Sequence, residues 1–159
     1  MVKTLILVNI IVFVINGVLA SGSRFSSLAG FGPDGGWGYF SIEKAIFDFQ
    51  IWRVFTYQFL HGGLWHLFFN MLAIYFLGPM VESRFGPRKF LAFYVIAGCG
   101  GALLITLLEL VVPSLMGGGF STPVVGASGC FYGIVAALMV LFPHQPIRLL
   151  LLPFEFTMR

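Results

Sequence analysis

The sequence predicts an all-α, polytopic membrane protein, and three observations support this prediction. Of the 159 residues, 58% are hydrophobic and only 9% are charged, with a mean hydropathy of +0.96. This composition lies outside that of ordinary soluble domains. Four apolar runs approach the roughly 20 residues that a helix needs to cross a hydrocarbon core about 30 Å thick. Residues 1–159 are predicted to form one membrane domain.

The apolar runs set the predicted spans. They cover Leu5–Ala20, Leu60–Val81, Phe90–Val112 and Val124–Phe142. A last apolar stretch, Leu149–Phe154, contains a proline and is too short to cross a bilayer alone.

The first run has an alternative interpretation as a cleaved secretory signal. Lys3, the apolar core and the small-residue end at Ala20 resemble such a signal. Asn9 and Asn16 interrupt the core, and three further spans follow, so a retained first helix is the simpler interpretation.

The basic residues predict the orientation, because cytoplasmic loops carry an excess of lysine and arginine. With alternating spans, one side receives Lys3, Arg84, Arg88, Lys89, Arg148 and Arg159, and the other receives Arg24, Lys44 and Arg53. We therefore expect a cytoplasmic N-terminus, and the short loops favour a bacterial inner membrane. The net charge of +3 reflects this topology and gives no reason to invoke nucleic acid.

The interfacial segment, Ser21–Trp52, is too polar to cross yet rich in phenylalanine, tyrosine and tryptophan. Aromatic side chains at this density are typical of the membrane interface. The segment is either a loop anchored among the headgroups or a partly inserted element.

Two polar residues in the second span are functional candidates, because amide and ionisable groups inside a membrane are costly. His66 and Asn70 are four residues apart, so they lie about 40° apart on one helix face, one turn from each other. They could serve a common site, cross-link neighbouring helices through hydrogen bonds, or line a path in a small transporter.

Other polar or reactive residues have simpler interpretations. His61 precedes two glycines as a cap or interfacial residue, and His144 lies between two prolines in a cytoplasmic loop. Cys99 and Cys130 fall within predicted spans, where small buried hydrophobes are the simplest interpretation. We expect no metal and no organic cofactor.

Ser128 stands out in the fourth span, within the stretch VVGASGCFYG. A glycine-rich loop precedes it and a helical run follows, which puts its hydroxyl near a helix N-terminus that favours developing negative charge. Tyr132 follows by one turn on the same face, while Gly129 and Gly133 form a strip suited to close packing. A serine in a membrane helix can also be structural, bonded to its own backbone or to a neighbouring helix.

Together these residues resemble the rhomboid family of intramembrane serine proteases. The resemblance covers nearly the whole chain and rests on four stretches: Trp52-Arg53, HGGLWHLFFN, VESRFG and GASGCFYG. It implies a helical bundle of six spans, of which this chain supplies four, that acts on transmembrane proteins within a lipid bilayer.

The resemblance also implies roles for individual residues. Ser128 would be the nucleophile, in a motif with Gly126 and Gly129. His66 and Asn70 would donate to the oxyanion, and Tyr132 would pack against the catalytic imidazole. Glu82 and Arg84, at the cytoplasmic end of span two, and His61 look structural. Trp52 and Arg53 belong to the interfacial loop.

The general base that the rhomboid resemblance implies lies outside the four apolar runs. The rhomboid general base is a histidine on the sixth span, so we expect it beyond Arg159, and we expect this chain alone to be inactive. The alternative is a non-catalytic relative that binds membrane clients, although the intact Gly-Ala-Ser-Gly argues against it.

Overall fold

The structure is a computed structural model that describes residues 1–20, 36–113, 119–143, 146–148 and 155–157. Four long helices dominate these residues: α1 Val2–Ala20, α3 Leu64–Phe85, α4 Pro87–Val111 and α5 Ser128–Leu141. Between α1 and α3 lie a π-helical turn, Glu43–Phe47, the short helix α2, Arg53–Thr56, and a 3₁₀ turn, Tyr57–Phe59.

Among the described residues, α3 and α4 are the two helices long and apolar enough to span a bilayer. The apolar parts of α1 and α5 are shorter, and the 14 residues of α5 rise only about 21 Å. The count of four spans therefore stays a prediction. The alternative prediction, signal cleavage after Ala20, concerns the bond between Ala20 and Ser21. Ser21 lies outside the described residues.

Two predicted helix starts were wrong by four residues each. Helix α3 begins at Leu64 and not at Leu60, after a fully extended Gly63 with φ of 175°. Helix α5 begins at Ser128 and not at Val124, because Val124 instead forms an antiparallel bridge with Phe40. Pairing with a distant segment overrides the local apolar pattern in this case.

A short antiparallel hairpin, which the all-α prediction does not include, follows α5. Strand β1, Pro146–Arg148, pairs with β2, Glu155–Thr157, with Ile147 opposite Phe156. The prediction describes the helical body, to which this hairpin is a small addition. His144 lies outside the described residues.

The helices pack around a common core to which α1, α3, α4 and α5 all contribute. Its most buried members include Ile74, Phe90, Tyr94 and Ile134, each with no exposed surface. Large apolar side chains also face outward, such as Leu110 of α4 at 58% exposure. Large apolar side chains exposed in such numbers are accommodated by lipid better than by water.

Glycines allow α4 and α5 to approach closely. A Cβ at Gly129 would lie 3.3 Å from the Cα of Gly101, and one at Gly133 would overlap the side chain of Ala97. Small residues at such crossings permit backbone contact between helices in membranes. The contact holds the beginning of α5, and with it Ser128, against α4.

The cytoplasmic end predicted for span two joins the beginning of α1. The Glu82 carboxylate accepts the Met1 ammonium at 2.7 Å and the Val2 N–H at 2.9 Å. A carboxylate at a helix N-terminus is favoured by the free N–H groups and the dipole. Arg84 is exposed, and no hydrogen bond of its side chain is found within the described residues.

Candidate active site

Helices α3 and α5 line an open cavity of about 480 Å³ between their N-terminal halves. Its lining includes four residues singled out by the sequence: His66, Asn70, Ser128 and Tyr132. The other lining residues are Trp65, Phe69, Ala73 and Phe131. The structure therefore brings a hydroxyl, an imidazole and a carboxamide to one mostly apolar pocket, which is the usual composition of a small binding site.

Ser128 is the first residue of α5, and it is exposed toward the cavity. The residue before it, Ala127, is the N-cap with φ of −79° and ψ of 7°. The first N–H groups of a helix have no partner within it. The Ser128 N–H therefore belongs to the set that can donate to an anion at this helix end.

Gly126 lets the imidazole of His66 approach the serine. Its φ is +126°, a conformation that side chains with a Cβ rarely adopt. A Cβ built there would lie 2.7 Å from Nε2 of His66 and 3.8 Å from Oγ of Ser128. The imidazole and the hydroxyl therefore flank the space that the missing side chain leaves.

Asn70 is buried with 8% of its surface exposed, and its side chain is held in a defined direction. Its Nδ2 donates to the His66 carbonyl at 3.0 Å. A carboxamide nitrogen carries two hydrogens, so the second remains available to the cavity. His66 and Asn70 thus present donors from successive turns of α3.

A family model described as "Rhomboid domain" matches residues 48–158. Rhomboid protease AarA of Providencia stuartii is 35% identical over 147 residues, covering 86% of this chain and 49% of that protein. RHOMBOID-like protein 1 of Arabidopsis thaliana is 33% identical over 102 residues, covering 64% of this chain and 24% of that protein. Inactive RHOMBOID-like protein 8 of the same plant is 30% identical over 102 residues, covering 64% of this chain and 26% of that protein.

The chain belongs to the rhomboid family. Together with its apolar helices, this membership identifies it as an integral membrane protein. The chain spans about a quarter to a half of the length of these curated relatives. Both a protease and a protein named as inactive are among the relatives, so the family alone does not assign activity.

Tyr132 of this rhomboid is 69% exposed and lines the cavity one turn after Ser128. Its ring contacts that of Phe131 at a centroid distance of 5.4 Å. The tyrosine therefore presents a free face toward the site. The packing of Tyr132 against a catalytic imidazole stays a prediction.

His61 lies before α3 and is buried, with its ring edge-on to that of His66 at 5.2 Å. Neither of its ring nitrogens has a hydrogen-bond partner among the described residues. It packs behind His66 and does not line the cavity around Ser128.

The two cysteines are free, and both lie beside the carboxamide of the fully buried Gln58. The Cys130 Sγ is 3.4 Å from its Oε1 and the Cys99 Sγ is 3.7 Å from its Nε2. Gln58 thereby links the segment before α3 to both α4 and α5. Among the described residues no cluster of histidine, cysteine and carboxylate side chains could hold a metal.

Trp52 and Arg53 organise the described part of the segment before α3. The Trp52 ring stacks on the Trp37 ring with 5.5 Å between their centroids, and Trp52 Nε1 donates to the Trp37 carbonyl. Arg53 is 3% exposed and donates to the carbonyls of Gly36 and Tyr39. Burial lowers the pKa of Arg53, but a guanidinium starts so high that it stays charged at pH 7.

Sequence reasoning missed Glu43 and Tyr57, which contact the loop before Ser128. Tyr57 accepts the Gly126 N–H on its carbonyl at 3.0 Å and donates its hydroxyl to the Gly98 carbonyl at 2.6 Å. Glu43 accepts a hydrogen bond from Ser121. These partners are 41 to 78 residues apart in the chain, and no local spacing signals such contacts.

Proposed function

We propose that this rhomboid is an intramembrane serine endopeptidase that cleaves transmembrane segments of other membrane proteins. The single observation that supports it most is the shared cavity of Ser128, His66 and Asn70. The proposal includes one domain over residues 1–159 that continues beyond them, with the catalytic histidine there. It requires no metal and no organic cofactor.

In the proposed reaction, the Ser128 hydroxyl gives its proton to that histidine and its oxygen attacks the scissile carbonyl carbon. The carbonyl oxygen becomes an oxyanion, which accepts hydrogen bonds from His66, Asn70 and the Ser128 N–H. Collapse breaks the amide bond, and the leaving nitrogen takes the proton from the imidazolium. Water then hydrolyses the acyl-enzyme and restores Ser128.

The apolar lining supports a membrane-embedded substrate. Trp65 is 71% exposed and Phe69 is 61% exposed at the rim of the cavity, where an extended stretch of an apolar substrate could lie. The proposed orientation places the N-terminus in the cytoplasm and the cavity toward the opposite face, in a bacterial inner membrane. It rests on the unequal distribution of lysine and arginine between the two sides.

Labelling with a serine-reactive phosphonate tests the proposal in the full product of the gene that contains this sequence. We expect the wild type to be labelled and Ser128→Ala to be unlabelled. Ser83→Ala is the matched control, because Ser83 is an exposed serine on α3 whose hydroxyl donates to the Met80 carbonyl. Equal labelling of wild type and Ser128→Ala would rule the mechanism out.

A second candidate function is client binding without catalysis, and the 30% identity to a relative named as inactive favours it. The same experiment separates the two. A folded wild type that takes no label, yet retains transmembrane clients in a pull-down from detergent, would support the binding function over the protease.

A further inference from the structure

The loop that leads into Ser128 is bonded to one neighbouring segment. We name residues 119–127 the approach loop and residues 40–57 the brace. Among the described residues, the hydrogen bonds between them are Phe40 N–H to Val124 O at 2.9 Å, Val124 N–H to Phe40 O at 2.7 Å, Glu43 N–H to Phe120 O at 3.0 Å, Gly126 N–H to Tyr57 O at 3.0 Å, and Ser121 Oγ to the Glu43 carboxylate. The approach loop therefore follows the brace over most of its length.

Four of these five bonds join backbone groups, so truncating a side chain does not remove their donors or acceptors. The Glu43 carboxylate supplies the one that depends on a side chain. Glu43 holds the approach loop at two points: its backbone N–H donates to the Phe120 carbonyl, and its carboxylate accepts from Ser121. Phe47, on the same π-helical turn, adds a ring contact with Phe120 at 5.8 Å.

The far end of the approach loop decides where the Ser128 hydroxyl lies. Gly126 is bonded to Tyr57 and confined by His66, and Ser128 follows two residues later as the first residue of α5. A shift of the loop moves Gly126, and a displacement of about 1 Å is enough to impair a reaction that needs aligned groups.

We propose that Glu43 is a positioning residue for Ser128, acting through Ser121 and the approach loop. The proposal rests on the proposed function, since it concerns the same nucleophile. Glu43 touches neither Ser128 nor the cavity, so it takes no part in the chemistry. Its contact with Ser121 is exposed and lies outside the core, which means that its loss should loosen the loop and leave the helices folded.

Hydrogen exchange of the full protein in detergent micelles tests this without needing activity. We expect Glu43→Ala to speed exchange of the Val124 and Gly126 amides by about fivefold, the effect of losing one hydrogen bond of ordinary strength. Glu43→Gln should retain most of the protection, because its carboxamide oxygen still accepts from Ser121. Asp48→Ala is the matched control: this exposed carboxylate follows the same turn and pairs with Lys44 at 2.8 Å, away from the loop.

Phosphonate labelling of Ser128 gives the second readout. The rate constant should fall in Glu43→Ala, recover in Glu43→Gln and stay at the wild-type value in Asp48→Ala. Unchanged exchange at Val124 and Gly126 in Glu43→Ala would overturn the proposal, and so would faster exchange spread equally over α3 and α4. A wild type that takes no label would overturn the proposed function, while the exchange comparison would still decide whether Glu43 positions the loop.

Discussion

A Cβ at Gly126 would lie 2.7 Å from Nε2 of His66. The absence of a side chain at this position is what lets the imidazole of α3 reach the turn before α5. Because Gly126 also has a φ of +126°, both space and backbone conformation select glycine there.

Gly126→Ala should therefore impair both the site and the fold. We expect a loss of about 1–3 kcal/mol in the free energy of unfolding from backbone strain, and a fall in the rate of Ser128 labelling because His66 must move. Denaturant titration in micelles and probe labelling measure the two effects. Gly62→Ala is the control, since its Cβ would lie 3.9 Å from Nδ1 of the same ring, an ordinary contact. Similar results for the two variants would contradict this account.

Gly133, where α5 contacts α4, and Gly100, on the exposed face of α4, should respond oppositely to the same substitution. Gly133→Ala should destabilise the protein by about 1–3 kcal/mol, because the added methyl group overlaps Ala97. Gly100→Ala should stabilise it by about 0.5–1 kcal/mol, because that helical position is exposed and a Cβ there meets nothing within 4 Å. Unfolding in mixed micelles measures both values. Equal stability changes would show that close packing at Gly133 is unimportant.

Glu82→Gln should weaken the attachment of α1 to the end of α3. The variant keeps an oxygen that can accept the Val2 N–H but loses the ion pair with the Met1 ammonium, which should cost about 1 kcal/mol. Hydrogen exchange of the first turn of α1 reports the loss locally. Arg84→Gln is the matched control, because Arg84 is exposed two residues away. Equal exchange in the two variants would exclude a role for the Glu82 carboxylate.

Much of the helical body could be predicted from apolar runs, because each run is long enough to satisfy its own backbone hydrogen bonds as a helix. The apolar runs alone put the starts of α3 and α5 four residues too early. Val124 belongs to an apolar run, yet it pairs with Phe40 in a distant segment of the chain. The pairing competes with helix formation, and nothing in the local sequence reports it.

The candidate site, too, could be predicted from the sequence only in part. The spacing of His66 and Asn70 already places them on one face of a helix, and a glycine-rich loop before Ser128 already indicates a helix N-terminus. Their common cavity could not be derived, because it depends on how α3 packs against α5. Glu43 and Tyr57 were missed for the same reason, since each acts through a contact far away in the chain.

The sequence by itself determined the membrane class, the helical periodicity and the chemical groups at the candidate site, because hydrophobicity and spacing are local properties. Only the tertiary structure decided that His66 of α3 approaches Ser128 of α5 across Gly126, and that the brace directs the loop between them. These arrangements depend on close packing and on hydrogen bonds between segments distant in sequence, whose geometry arises when the helices are assembled.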